Sequence, residues 1–277
     1  MPEVLAIGAA VGLVLGLTGA GGSLFAVPLL MLGLGLATGQ ATGLALGAVA
    51  VSAAWGAAGG FARREVVWLP ALVLALSGAL LAPVGRALAL QLPDIWLMAG
   101  FAVLVIWVAL RMWLQARREP AAAGVTRASQ APKLLTAEQP LCRFSASGQL
   151  ELRPRCLAGV VLGGAMAGVL SGLFGVGGGF VIVPLLVLLT GLSMRAAVAT
   201  SLLVIAVIST SGFASYLWLG HAVNYAVLAW LSLGGVLGMV LGSKLAHRLA
   251  GPVLQQIFVV LMILLTASAL WLQWRAS

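Results

Sequence analysis

Apolar residues run along this chain in long blocks separated by short polar breaks. The blocks cover about residues 4–37, 41–61, 66–90, 94–115, 157–192, 196–219, 223–246 and 253–274. Most match the roughly 20 residues of a membrane-crossing helix, which predicts an all-α polytopic membrane protein. The first and fifth blocks are longer, and clustered glycines interrupt each. Ahead of the first glycine cluster, residues 4–17 form one apolar stretch, and residues 23–36 form another after it. At about 1.5 Å rise per residue each reaches roughly 21 Å, short of the roughly 30 Å hydrocarbon core. The two stretches either join as one broken span or fold as a re-entrant hairpin that enters and leaves on one side. The opening MPEV lacks a basic leader, so the first block is expected to be retained.

The glycine-broken phrase occurs twice. Residues 16–30 read GLTGAGGSLFAVPLL and residues 172–186 read GLFGVGGGFVIVPLL, identical at nine of fifteen positions at an offset of 156. With a two-residue shift, Ala41-Thr42-Gly43-Leu44 aligns with Ala199-Thr200-Ser201-Leu202. Each half therefore reads as a glycine-broken segment followed by three ordinary transmembrane helices. The expected organisation is a first repeat at 1–115, a basic Pro/Ala-rich cytoplasmic linker at 116–155 and a second repeat at 156–277. Within the linker, Arg143-Phe-Ser-Ala-Ser-Gly-Gln-Leu-Glu-Leu has the pattern of a small hairpin turning at Ser147-Gly148.

Charge then weighs the two ways of crossing. Eight of the fifteen basic residues lie from Arg111 to Arg155, along or beside the linker. Single broken spans would leave Arg86, Arg195, Lys244 and Arg248 outside. Re-entrant hairpins would leave only Arg86 and Arg275 there. The positive-inside rule favours hairpins, which make the crossings per half odd and the repeats inverted. The formal net charge of +9 thus reads as topogenic, with no nucleic-acid partner. The cysteines, Cys142 and Cys156, sit in or beside the linker; a cytoplasmic linker predicts reduced thiols.

With 62% hydrophobic and 8% charged residues, a soluble fold is excluded. Six acids exist, Glu3, Glu65, Asp94, Glu119, Glu138 and Glu151, none clearly inside a span. A cation carrier needs buried carboxylates, so an anionic cargo fits better. Glycine loops at membrane depth can turn backbone amides inward, and the following half-helix adds a positive dipole end. Candidate substrate-binding residues are Thr18, Gly19, Gly21, Gly22 and Ser23 in the first copy and Gly175, Gly177, Gly178 and Gly179 in the second, with Thr200 and Ser201 beyond it. The competing reading of such glycines is close helix packing. The hydroxyls of 200–215 could line a polar path or bond between helices. Arg63 and His221, at helix ends, are candidates for gating. No catalytic constellation, metal-ligand spacing or cofactor motif is present, so an intramembrane enzyme is the least favoured class.

The paired GLxGxGG…VPLL phrase, the Ala199-Thr-Ser-Leu that follows its second copy and the mid-chain linker resemble the TauE/SafE family of sulfite and organosulfur-anion permeases. The resemblance implies an inner-membrane, multi-pass secondary transporter of a small anion such as sulfite or an organosulfonate. In that reading, loop amides from both halves face one another near mid-membrane and are exposed alternately to each side. A passive anion channel is the alternative. Thr200, Ser201 and the paired glycines match the family pattern. Gly43-Leu44 departs from it.

Overall fold

The computed structural model describes residues 2–19, 22–118, 143–144, 150–151, 154–190, 192–220, 223–249, 260, 263–264 and 268. The first half contains α1 (Pro2–Thr18), α2 (Gly22–Leu34), α3 (Thr38–Ala62), α4 (Trp68–Gln91) and α5 (Asp94–Arg118). Two short strands follow, β1 (Arg143–Phe144) and β2 (Leu150–Glu151), paired antiparallel with Arg143 opposite Glu151. The second half contains α6 (Pro154–Phe174), α7 (Gly179–Thr190), α8 (Met194–Trp218) and α9 (Tyr225–Leu249). Segments of α3, α4, α6, α8 and α9 are long and apolar enough to cross a membrane. The last apolar block, 253–274, lies almost wholly outside the described residues.

Both glycine-broken blocks are helical hairpins. Gly22 packs against Leu15 and Val11, and Gly33 against Ile7, so α2 runs back along α1. Gly178 meets Ala167, Gly163 meets Leu185 and Gly159 meets Leu189, so α7 runs back along α6. Pro28 and Pro184 sit inside the returning helices, where neighbouring helices allow a proline that would break an isolated one.

The centre of the molecule is the α3–α8 pair, whose members correspond in the two halves and run antiparallel. Gly60 lies against Ala199, Gly56 against Leu202, Leu46 against Gly212 and Gly43 against Tyr216. An offset of 156 exchanges the halves and turns Gly60–Ala199 into Tyr216–Gly43, and Gly56–Leu202 into Gly212–Leu46. The helices Thr38–Ala62 and Met194–Trp218 keep the same offset at both ends. The two-residue shift expected from the Ala-Thr-x-Leu likeness is therefore not the structural register. Three connecting residues precede both α3 and α8, so no insertion exists to create it.

Each half lends its first helix to the other. Helix α1 lies parallel to α9, with Gly8 against Leu231, Gly12 against Gly235 and Gly16 against Ser243. Helix α6 lies parallel to α4 in the same way, with Gly164 against Leu74, Gly168 against Gly78 and Gly172 against Arg86. Glycine at every fourth position removes the side chains that would hold these backbones apart. The packing role expected as an alternative is thus real for the glycines inside helices, whereas Gly19 and Gly175 terminate them.

Outward faces are apolar, including Leu76, Leu80, Ile106, Leu162 and Leu237, as a lipid-facing surface requires. Trp68, Trp96, Trp218 and Tyr225 are exposed near helix ends, the position of interfacial aromatic belts. Thr200 accepts a hydrogen bond from Val67 N at 3.1 Å, joining the start of α8 to the α3–α4 turn. Gly16 meets Ser243 at this same end, so Arg63, Arg64, Arg195 and Lys244 share it.

One linker expectation is met and another is corrected. The short ladder forms where the hairpin pattern predicts it, although its turn, 145–149, lies outside the described residues. Cys156, expected as a reduced thiol, is disulfide-bonded. The ladder folds the chain back to the start of α6, and the one other cysteine, Cys142, immediately precedes β1.

Candidate functional site

The site begins with the hairpin tips. Gly19 and Gly175 adopt φ of +70° and +71°, the left-handed region where an L side chain is strained. Each closes its preceding helix through its own amide, Gly19 N donating to Leu15 O at 2.7 Å and Gly175 N to Ser171 O at 2.8 Å. Gly19 packs against Val198 near the start of α8, and Gly175 against Thr42 near the start of α3. Ser201 Oγ donates to Gly19 O (3.3 Å) and Val198 O (2.8 Å), fastening the first tip to α8.

Gly19, Thr200 and Ser201 are therefore brought together at the end that carries the exposed Arg63. Thr18 donates to Val14 O at 2.8 Å, and Gly22 and Ser23 are buried in the first turn of α2. In the second tip, a Cβ on Gly177 would lie 3.0 Å from Ser209 Oγ, Gly178 faces Ala167, and Gly179 opens α7. Gly21 and His221 lie outside the described residues.

The tips do not face one another at Gly19 and Gly175. Thr42 and Gly60, the latter beside Ala199, are separated by about 27 Å of α3 at 1.5 Å per residue. Antiparallel α3 and α8 each hold one of these two glycines near their own beginning, while the second tip reaches the middle of the pair at Gly177, where a Cβ would lie 3.2 Å from both Ile205 and Val49. Of the hydroxyls along α8, Ser211 reaches across to Ala79 O of α4 at 2.6 Å, and Ser215 bonds back to Ser211 O at 2.9 Å. Ser209 Oγ, beside Gly177, and Ser171 Oγ are buried without a partner.

Arg86 is the residue that sequence reading missed. Its block position near a helix end made it a loop charge, but α4 continues to Gln91 and Arg86 is only 3% exposed. Its guanidinium carbon stands 4.9 Å from the centre of the Tyr216 ring. Nε and Nη2 are buried with no hydrogen-bond partner, as is Thr38 Oγ1 nearby in sequence to Gly39. A Cβ on Gly39 would lie 3.8 Å from Arg86 Nη2. An uncompensated buried charge costs about several kcal/mol, so such a residue in a membrane span is a functional marker. The signal available beforehand was a lone arginine within an otherwise apolar block.

A family model described as Sulfite exporter TauE/SafE matches residues 4–269. The chain belongs to the TauE/SafE family. It is 30% identical over 275 residues to a probable membrane transporter protein of Xylella fastidiosa strain Temecula1, covering 97% of this chain and 94% of that one. A counterpart from strain 9a5c is similar to the same extent. A 100-residue stretch is 34% identical to the probable membrane transporter protein YunE of Bacillus subtilis, 36% of each chain. No solved structure matches.

This TauE/SafE protein is thus a multi-pass membrane protein of a transporter family. Its interior, among the described residues, offers amides, hydroxyls and the Arg86 guanidinium. Among the described residues no group of His, Cys, Asp and Glu could hold a metal ion.

Proposed function

We propose that this TauE/SafE protein is a secondary carrier of a small anion, sulfite or an organosulfonate, in the inner membrane. Its halves are inverted repeats, and each glycine-tipped hairpin enters the membrane and leaves it on the same side. The observation that carries this reading is the antiparallel α3–α8 pair. Corresponding membrane helices that run in opposite directions relate the halves by an axis in the membrane plane, the symmetry underlying alternating access. Charge supports it: Arg63, Arg64, Arg195 and Lys244 share the end that the hairpin arrangement assigns to the cytoplasm.

The anion is held by amides of the tips, through Gly19, Gly21, Gly22, Gly175, Gly177, Gly178 and Gly179, with hydroxyls from Thr18, Ser23, Thr200 and Ser201. Because Val198 and Thr42 cover Gly19 and Gly175 at opposite ends, the tips serve the two sides in turn as one half moves against the other. Arg63, exposed at the α3–α4 turn, and His221 act at the gates. The thermal stability of purified protein titrated with sulfite, methanesulfonate, acetate and sodium salts of non-oxyanions tests the cargo class, because a ligand that prefers the folded state stabilises it. Sulfite or methanesulfonate raises the melting temperature saturably. No shift with either removes the sulfur-oxyanion assignment.

A further inference from the structure

We infer that the N-terminus of α3 and the free edge of Arg86 form one oxyanion-binding site, which takes a sulfite- or sulfonate-type group through two of its oxygens. The inference rests on the carrier reading above and gives it a charged contact that the glycine tips lack. The two unpartnered nitrogens of Arg86 are Nε and Nη2. They share one edge of the guanidinium plane, and their N–H bonds point the same way. That edge is the fork which meets two oxygens on one centre with parallel hydrogen bonds. The Tyr216 ring, 4.9 Å away, holds the group through its π-face and leaves the edge unused.

The fork lies beside the beginning of α3, where Nη2 approaches Gly39. The first intrahelical bond there is Ala41 N to Ala37 O, so the amides of 38–40 have no helical acceptor. Ala37, at the cap position, supplies no side-chain bond. Thr38 is 7% exposed, and its hydroxyl has no partner. Guanidinium edge, hydroxyl and helix N-terminus thus offer unmet donors at one place, and the helix adds partial positive charge.

The other half has a helix N-terminus at the matching place but lacks these side chains. At the offset of 156 the cap of α8 is Ser193, whose side chain accepts from Ala196 N at 3.4 Å. The contact of Gly172 with Arg86 N (2.8 Å for an added Cβ) is repeated by Gly16 with Ser243 N at the same distance. Ser243 therefore stands where Arg86 would, and Gly60 where Tyr216 would. An inverted repeat that keeps its packing but diverges at a cap, a cation and the ring beneath it has specialised one end for an anion.

The test is calorimetric titration of the full-length protein in detergent with sulfite, methanesulfonate and chloride. Wild type binds the two oxyanions, and chloride, a single ion with no pair of oxygens for the fork, binds at least about tenfold more weakly. Arg86→Lys keeps the charge but loses the paired donors, and weakens oxyanion binding at least about tenfold. Thr38→Val, nearly isosteric, weakens it by several-fold while size-exclusion profile and circular dichroism stay unchanged. It decides the matter alone if Arg86→Lys fails to fold. Ser243→Ala leaves affinity unchanged. Wild-type affinity in both Arg86→Lys and Thr38→Val overturns this site and leaves the carrier reading standing. Equal binding of chloride and sulfite overturns the two-oxygen fork. Failure of wild type to bind either oxyanion removes the carrier reading, and this site with it.

Discussion

Replacing Gly168 by valine tests the swapped-helix packing that holds the halves together. The Cβ of any side chain there would run into the backbone of Gly78, and its carbonyl cannot rotate away. Relief requires α4 and α6 to separate, which also loosens the neighbouring contacts of Gly164 with Leu74 and Gly172 with Ala82. Overpacking of this kind costs about 1–3 kcal/mol, with the upper part of the range expected against rigid backbone. Helix propensity returns only about 0.5 kcal/mol for a glycine-to-valine change. A net loss of about 2 kcal/mol lowers Tm by roughly 4–8 °C in a chain of this size. Tryptophan fluorescence during heating in detergent reads it directly. Gly59, in the exposed part of α3 with nothing within 4 Å of an added Cβ, is the control. Gly59→Ala leaves Tm unchanged or raises it by the gain of up to about 1 kcal/mol in propensity. A Gly168→Val protein that melts with wild type would refute the close α4–α6 seam.

Further outcomes follow from the tips and the topology. Gly19→Ala and Gly175→Ala each pay about 1–2 kcal/mol for left-handed backbone, and each adds a clash, with Val198 and Thr42 respectively. Both lower Tm and abolish anion-dependent stabilisation, whereas an alanine at either that binds wild-type amounts would free the tip of a binding role. Ser201→Ala removes the bond to Gly19 O and lowers stability by about 1 kcal/mol, read as a Tm drop of a few degrees. On a cysteine-free background, Arg63→Cys reacts with a membrane-impermeant maleimide from the cytoplasmic face, while Ala37→Cys and Leu219→Cys react from the opposite face. Labelling of Arg63→Cys and Ala37→Cys from one side would exclude the inverted arrangement.

Much of the architecture was legible because it is written in backbone-level signals. Clustered glycines between half-length apolar stretches marked both breaks and the left-handed tips, but left a broken span and a hairpin equally open until loop charge favoured the hairpin. Loop charge pointed to the end shared by Arg63, Arg195 and Lys244. The short ladder of β1 with β2 followed from a turn pattern. What stayed hidden depends on contacts distant in sequence. Arg86 looks like any helix-end charge until Tyr216 and the open start of α3 close around it. The exchange of α1 and α6 between halves is invisible locally, because Gly8, Gly12 and Gly16 fit any close partner. The apparent shift at Thr200 misled because a four-residue likeness outweighed the equal connector lengths. The disulfide at Cys156 was missed because compartment, and not chain geometry, guided that expectation.

Counterflow in proteoliposomes tests the central claim most directly. Vesicles containing the purified protein are preloaded with unlabelled sulfite and diluted into a trace of radiolabelled sulfite, with protein-free vesicles as the baseline. The account predicts transient accumulation of label above equilibrium, stimulated by internal sulfite and abolished in Gly19→Ala and Gly175→Ala proteins. Uptake that equilibrates at the same rate with empty and preloaded vesicles would indicate a passive pore, and no uptake above baseline would contradict sulfite as cargo.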